Sequence, residues 1–414
     1  MSIAPTPPSR RPRPTDQADV RRHNAGLVLA AVTDGPVSRA EVAGLTGLTR
    51  ATVGSIVDDL LAAGLVSEQG TRAPRGVGRP GTDLALDPSG GAGVGVEINV
   101  DGLSCVVVDL TGEVRHRASR PGDQRDKPVG TVLRTAARLV DDALRAAAAD
   151  GLRVRGIGVA VPGLVDLEAS VLRVAPNLGW ADVPVLDRMR AASSLLWPRA
   201  SLDNEANLAA LGELWSGDHA WPAAGASFVL VNGDVGVGAG VVLEGRLHRG
   251  TRGFGGELGH LTVAPDGPEC RCGARGCLEQ VAGLDWILRS AGLRPSSAHG
   301  ADATPTLLAA LAEGEPRAVG AVEDAGASLG VGIAAIVNLF DVDAVVLGGV
   351  YAPLFPWLEA PVRAAVARRV LSARWAPISI APSRLGRDAA VVGAARSALR
   401  EVLTDPLGAV AEPA

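Results

Sequence analysis

Residues 256–279, GELGHLTVAPDGPECRCGARGCLE, set a histidine and three cysteines between two carboxylates, Glu257 and Glu279. Cys270, Cys272 and Cys277 form a C-x-C-G-x-x-G-C pattern, and His260 lies ten residues upstream. Four such ligands close a tetrahedral site around zinc, so any fold of this chain has to bring them together. A loop of ordinary buried thiols is the alternative. Three of the chain's four cysteines, spaced by glycines, argue for the metal. With every position filled by protein, no place remains for a catalytic water, and the ion is expected to be structural.

A chain of 414 residues is too long for one ordinary core and points to two or three domains. No run of about 18 apolar residues reads as a membrane span, so a soluble protein without membrane partners is expected. The opening MSIAPTPPSRRPRP lacks an apolar stretch with a cleavage site and reads as a disordered arm, 1–19. Cys105 alone lies outside the cluster, which leaves no disulfide framework and fits a reducing cytoplasm. Charge is uneven. The first 82 residues hold ten arginines against seven acids, whereas the whole chain has a net charge of −5. The basic end suits a polyanion, although a solvated tail reads equally well.

Residues 21–33 read as a helix ended by Gly35-Pro36. Ser38-x-x-Glu41 is a capping box opening a short helix to about Leu45. After the turn Thr46-Gly47-Leu48, residues 49–63 set Val53, Ile56, Val57, Leu60 and Leu61 on one apolar face. Thr49, Arg50, Thr52 and Ser55 occupy the start of that helix. Strands are expected at 65–68 and 83–86, joined by TRAPRGVGRPG. Three helices, a glycine-containing turn and a basic hairpin describe a winged helix-turn-helix over 20–86. Short polar and cationic side chains at the third helix can reach base edges of an operator, while Arg72, Arg75 and Arg79 follow phosphates or enter the minor groove.

Asp87-Pro88-Ser89-Gly90-Gly91 reads as a hinge. Beyond it strands alternate with helices: strands at 93–98, 104–110, 154–161, 227–231, 238–243 and 342–347, helices at 129–149, 318–339 and 389–403. Two halves with similar openings imply an α/β domain, 92–404, with a cleft between repeated lobes.

Val161-Pro162-Gly163, Pro176-Asn177-Leu178-Gly179-Trp180, Asp203-Asn204-Glu205-Ala206-Asn207, Gly256-Glu257-Leu258-Gly259-His260 and the cysteine cluster follow the winged helix in an order that resembles the ROK family (repressors, open reading frames and sugar kinases). The resemblance covers about residues 20–403 and sides with the family's transcriptional regulators. It implies an actin-like, two-lobed, sugar kinase-like domain. It also implies sugar contacts at Asn204, Glu257, His260 and Glu279, with Asn177 and the Pro162-Gly163 turn as pocket wall, and zinc on His260 and the three cysteines. The family's catalytic aspartate corresponds to Glu205, which would face the sugar.

Kinases of this family resemble Asp-x-Gly-Gly-Thr at the first phosphate loop and Gly-Thr-Gly at the second. Here the stretches are Glu97-Ile98-Asn99-Val100-Asp101 and Asp234-Val235-Gly236, with glycines and hydroxyls lost and acids added. Acids there repel a polyphosphate. The expected protein is a DNA-binding regulator of carbohydrate genes, a repressor answering to a sugar or sugar phosphate, acting as a homodimer or homotetramer and not as an enzyme. A bifunctional sugar kinase with a DNA-binding extension is the rival, and a DNA-bound scaffold with an empty pocket a second one.

Overall fold

Capping groups fix the start of each N-terminal helix. The computed structural model describes residues 16–33, 35–72, 81–125, 127–215, 225–293 and 300–411. Helix α1 (Gln17–Thr33) starts a turn before the expected position because Asp16 Oδ1 accepts from the Asp19 N–H at 2.7 Å. It buries Ala25, Val28, Leu29 and Val32. After the two-residue strand β1 (Val37–Ser38), α2 (Arg39–Thr46) opens on the capping box read from the sequence. Ser38 Oγ accepts from the Glu41 N–H at 3.3 Å, and Glu41 Oε2 accepts from the Ser38 N–H at 2.9 Å. Gly47, at φ 70°, ends the helix.

Thr49 caps α3 (Arg50–Ala62), whose Val53, Ile56, Val57 and Leu60 are buried as the spacing requires. Strands β2 (Val66–Arg72) and β3 (Gly81–Leu86) pair antiparallel. β1 joins the other edge of β3, an addition too short to show a periodicity. Arg75 and Arg79, expected in the hairpin, lie outside the described residues.

The second unit opens with β4 (Ala92–Ile98), β5 (Gly102–Asp109) and β6 (Val114–Pro121), then α4 (Val129–Ala149) and β7 (Val154–Val161). A small antiparallel sheet follows, β8 (Leu164–Asp166), β9 (Val171–Ala175) and β10 (Trp180–Val183), then α5 (Val185–Ala192), β11 (Ala200–Asn204) and α6 (Glu205–Trp215). The other half holds β12 (Phe228–Gly233), β13 (Val237–Leu243) and β14 (Arg246–Leu247), then α7 (Glu279–Ala282), α8 (Leu284–Ser290), α9 (Gly300–Ala312) and α10 (Pro316–Phe340). β15 (Ala344–Gly349), α11 (Tyr351–Arg369), β16 (Ser379–Pro382), α12 (Ala389–Thr404) and α13 (Pro406–Ala411) complete the chain.

The two five-stranded sheets have one topology, β6-β5-β4-β7-β11 and β14-β13-β12-β15-β16. In each, three antiparallel strands are extended by two parallel ones. This is the repeat expected from the two similar openings. Every residue of β4 and β12 is buried, so both read as apolar runs without alternation. Helix α10 is long and apolar enough to cross a membrane by length and composition, yet Ala318, Val322, Leu329 and Ile333 lie in the core of the second lobe.

Helix α12 packs by backbone contact. A Cβ on Gly95 of β4 would lie 2.0 Å from Val391 O, and one on Gly393 of α12 would lie 1.8 Å from Leu208 O of α6. By contact pattern the chain divides into Met1–Asp87 with Arg400–Ala414, and Pro88–Leu399. The end of α12 and α13 therefore group with the N-terminal helices. There Thr404 O backs onto Gly26 of α1, and Asp405 Oδ2 lies 3.9 Å from Arg22 Nη1.

Gly393→Ala is expected to lower stability by about 1–3 kcal/mol or more, because two backbones must part to admit a methyl group. Gly320→Ala, in α10 with nothing near its Cβ, should raise it by roughly 0.5–1 kcal/mol. Urea denaturation of the full chain measures both, and shifts of the same sign would contradict this packing.

Candidate functional site

One turn of 3-10 helix, Leu258–His260, sets the His260 ring between two groups. Nδ1 faces Cys270 Sγ at 3.7 Å, and Nε2 faces Glu257 Oε2 at 3.9 Å. Cys272 Sγ and Cys277 Sγ are also 3.7 Å apart, and all four ligand atoms lie within 4.8 Å of one another. A tetrahedron with metal–sulfur bonds of about 2.3 Å has edges of roughly 3.8 Å, so the cluster fits such an ion. The loop's own backbone shapes it: the Cys270 N–H donates to Ala274 O, Gly273 N–H to Cys270 O and Gly276 N–H to Pro268 O. The four residues expected to hold a metal are thus brought together.

Glu279, the first residue of α7, ties this loop to the cleft. Its Oε1 lies 3.1 Å from Cys270 Sγ, and its Oε2 accepts from Asn177 Nδ2 at 3.3 Å. Gly236 closes against both: a Cβ there would meet Asn177 Nδ2 at 2.7 Å and Glu279 Oε2 at 2.8 Å. Across the cleft, Asn204 does much of its bonding to protein. Its Oδ1 accepts from the N–H groups of Ala206 and Asn207 at 2.9 and 3.1 Å, capping α6, and its Nδ2 donates to Gly163 O at 3.0 Å. Asn204 is therefore the cap of α6, and the second Nδ2 hydrogen is what it retains for a ligand. Glu205 begins α6; the residue is half-buried, while its Oε2 is enclosed without a hydrogen-bond partner.

The two loops that depart from the kinase pattern meet at Asn99. Its Nδ2 donates to Glu97 Oε1 at 3.3 Å and to Asp234 Oδ2 at 3.2 Å, and Asn232 Nδ2 donates to the same Asp234 oxygen at 3.3 Å. Ser104 Oγ donates to Glu97 Oε2 at 3.2 Å. Burial, then Asp234 and Asp101, push the Glu97 carboxyl up to about 8. Burial and Asp101 push Asp234 up to about 7, against the pull of Arg387, whose Nη1 lies 3.5 Å from Asp101 Oδ2. Burial first, then Asp234, Glu97, Asp101 and Glu257, raises Glu205 well above the usual carboxylate range. A phosphate entering this space would meet acids and one guanidinium.

On α3, Thr49, Arg50 and Ser55 are exposed and Thr52 is half-buried. Thr49 Oγ1 accepts from the Thr52 N–H at 3.2 Å and lies 2.8 Å from Thr52 Oγ1. Ser55 Oγ accepts from Arg21 Nη2 at 3.0 Å, and Arg21 Nε also reaches Asp59 Oδ2 at 3.1 Å. Arg50 lies in the first turn of the helix. Sequence reasoning missed Asp203 and Arg249, which form a two-bonded ion pair beside Asn204. Their 46-residue separation leaves no local pattern to find.

The sequence profile of the ROK family matches residues 93–401, and the chain belongs to that family. It is 30% identical over 388 residues to the xylose repressor of Bacillus subtilis (strain 168), covering 91% of this chain and 95% of that one. It is 28% identical over 401 residues to the xylose repressor of Caldicellulosiruptor bescii, covering 94% and 98%. Among solved structures, a ROK family transcriptional regulator, homolog of the E. coli MLC protein, matches with a TM-score of 0.72 at 25% identity over 94% of this chain and 99% of that one. A ROK family glucokinase from Streptomyces griseus, in complex with glucose and AMPPNP, matches with a TM-score of 0.62 at 26% identity, over 75% of this chain and 100% of its own.

Glu97 and Asp234 keep protons in the folded state that the unfolded chain, with ordinary values of 4.5 and 3.8, releases in acid. The stability they contribute is complete below those values and lost as pH rises through about 7 to 8. The melting temperature should fall from pH 5 to pH 9, and Glu97→Gln with Asp234→Asn should flatten that slope. An unchanged slope in the double variant would contradict the protonated pair.

Proposed function

We propose that this protein is a transcriptional repressor of carbohydrate uptake or metabolism genes whose hold on operator DNA is set by a sugar, and that it has lost phosphotransfer. The observation that supports this most is the extent of the likenesses: the xylose repressors match from end to end, whereas the glucokinase accounts for 75% of the chain. The stretches 97–101 and 234–236 agree with it, since they lack glycines and hydroxyls that would cradle a nucleotide's phosphates. Glu205 then stands where a base would take the proton of a sugar hydroxyl, with no phosphoryl donor for that oxygen to attack.

In this reading residues 20–86 are the winged helix-turn-helix and residues 92–404 the sugar sensor. Thr49, Arg50, Thr52 and Ser55 read base edges in the major groove, while Arg75 and Arg79 contact the backbone or minor groove. Asn177, Asn204, Glu205, Glu257, His260 and Glu279 line the sugar site, a pentose or hexose being the class that the relatives' names suggest. Carboxylates and amides supply the dense acceptors and donors that a polyol needs.

His260, Cys270, Cys272 and Cys277 hold zinc, whose chemistry is to organise the loop. With Nδ1 toward the sulfurs, the His260 Nε2 is left for Glu257 and the ligand. Two or four copies act together in the cytoplasm on an inverted repeat, and sugar shifts the population away from the DNA-competent state.

Mobility-shift titration with the chain's own operator tests this. D-xylose or a related sugar should weaken operator binding, and Arg50→Ala should weaken it about 5- to 150-fold without sugar, leaving calorimetric sugar binding unchanged. Operator affinity indifferent to a full sugar and sugar-phosphate panel would overturn the effector role, and sugar-dependent ATP turnover would restore the kinase. For the metal, elemental analysis should find about one zinc per chain, lost together with thermal stability in Cys272→Ser. A metal-free, equally stable parent would refute the zinc assignment.

A further inference from the structure

Asp203 is the penultimate residue of β11, beside Asn204 and Glu205, and is buried. Its Oδ1 accepts from Arg249 Nη1 at 2.8 Å, the Asn204 N–H at 2.8 Å and Asn207 Nδ2 at 3.4 Å, and its Oδ2 accepts from Arg249 Nη2 at 2.6 Å. Arg249 comes from the opposite half of the unit. β11 is the edge strand of the first five-stranded sheet, and Arg249 lies just after β14, the edge strand of the second. The pair therefore joins the lobes. Arg249 also heads a loop closed at its neck by the Gly255 N–H donating to Arg249 O at 2.9 Å, and the chain then runs directly into Gly256 and Glu257.

We propose that Arg249 is a positioning residue for the effector, an inference that rests on the sugar reading above. Through Asp203 it fixes the spacing between the Asn204–Glu205 side of the cleft and the side that bears Glu257 and His260. A guanidinium engaging both carboxylate oxygens sets distance and plane together, which a single ammonium does not. Asp203 is in turn locked by the start of α6 through Asn204 and Asn207, so the fork works against a rigid seat. With the fork lost, the loop keeps its neck bond but its tether to the first lobe is gone. A polyol that needs both sides at once then meets a cleft whose width is no longer held.

The test uses the full, zinc-loaded chain, with D-xylose and D-glucose as probes in calorimetry, and the variants Arg249→Lys, Asp203→Asn and the two combined. Arg249→Ala is avoided, because it strands a buried carboxylate and endangers the fold. Each single change should weaken sugar binding about 10- to 100-fold, and the double should be no weaker than the worse single, the mark of one shared interaction. Zinc content and sugar-free operator affinity should stay at the parent's level. A pair that only supports the fold would lower the melting temperature and leave sugar affinity within about twofold of the parent in Arg249→Lys, and that result overturns the proposal. Failure of the parent to bind either sugar or any other of the panel is a different result, and it removes the effector reading itself.

Discussion

A carboxylate taken out of water must be protonated, hydrogen-bonded or matched by a cation, and the cleft of the second unit is arranged around that requirement. Asp203 is matched, by the Arg249 fork. Glu279 is hydrogen-bonded by Asn177 and Gln280. Glu97 and Asp234 share the Asn99 amide, and burial holds both well above the usual carboxylate range. These solutions occupy neighbouring places, so the cleft is polarised. One side presents fixed donors and acceptors beside the cysteine loop. The other is a store of acid where the kinase pattern of the family has glycines and hydroxyls.

The cysteine loop has a corresponding economy. Asn177, Glu279, Cys270 and His260 form a continuous series of contacts from cleft wall to ligand cluster. The histidine ring presents one nitrogen to each side. Anything that orders the sulfur atoms orders the ring, and with it the carboxylate at Glu257. The site is therefore assembled from loops, yet its geometry is tied down from several directions.

What could be read from the sequence were the features whose cause is local. The Ser38–Glu41 box follows from a cap, and the buried face of α3 and the limits of α4 and β7 follow from apolar patterning within a few residues; the structure has them in place. Helix α11 was hidden by Pro356 and Pro361 in its interior. Strand β6 was hidden because most of it is exposed and offers no apolar signal. The ligand cluster was legible because three cysteines and a histidine have few other uses at that spacing. The association of residues 400–414 with the N-terminal unit, and the Asp203–Arg249 pair, come from tertiary contact and leave no mark on neighbouring residues.

Helix α12 rests on β4 and α6 through main-chain atoms at Gly95 and Gly393. Side chains between packed elements act as springs: they change rotamer and absorb small displacements. Where main chain bears on main chain there is no spring. Helix α6 has Glu205 at its first turn and Leu208 against Gly393, so α6 and α12 are held at a single spacing. The seat of α12 on α6 and β4 is in that sense a bearing lined with glycine.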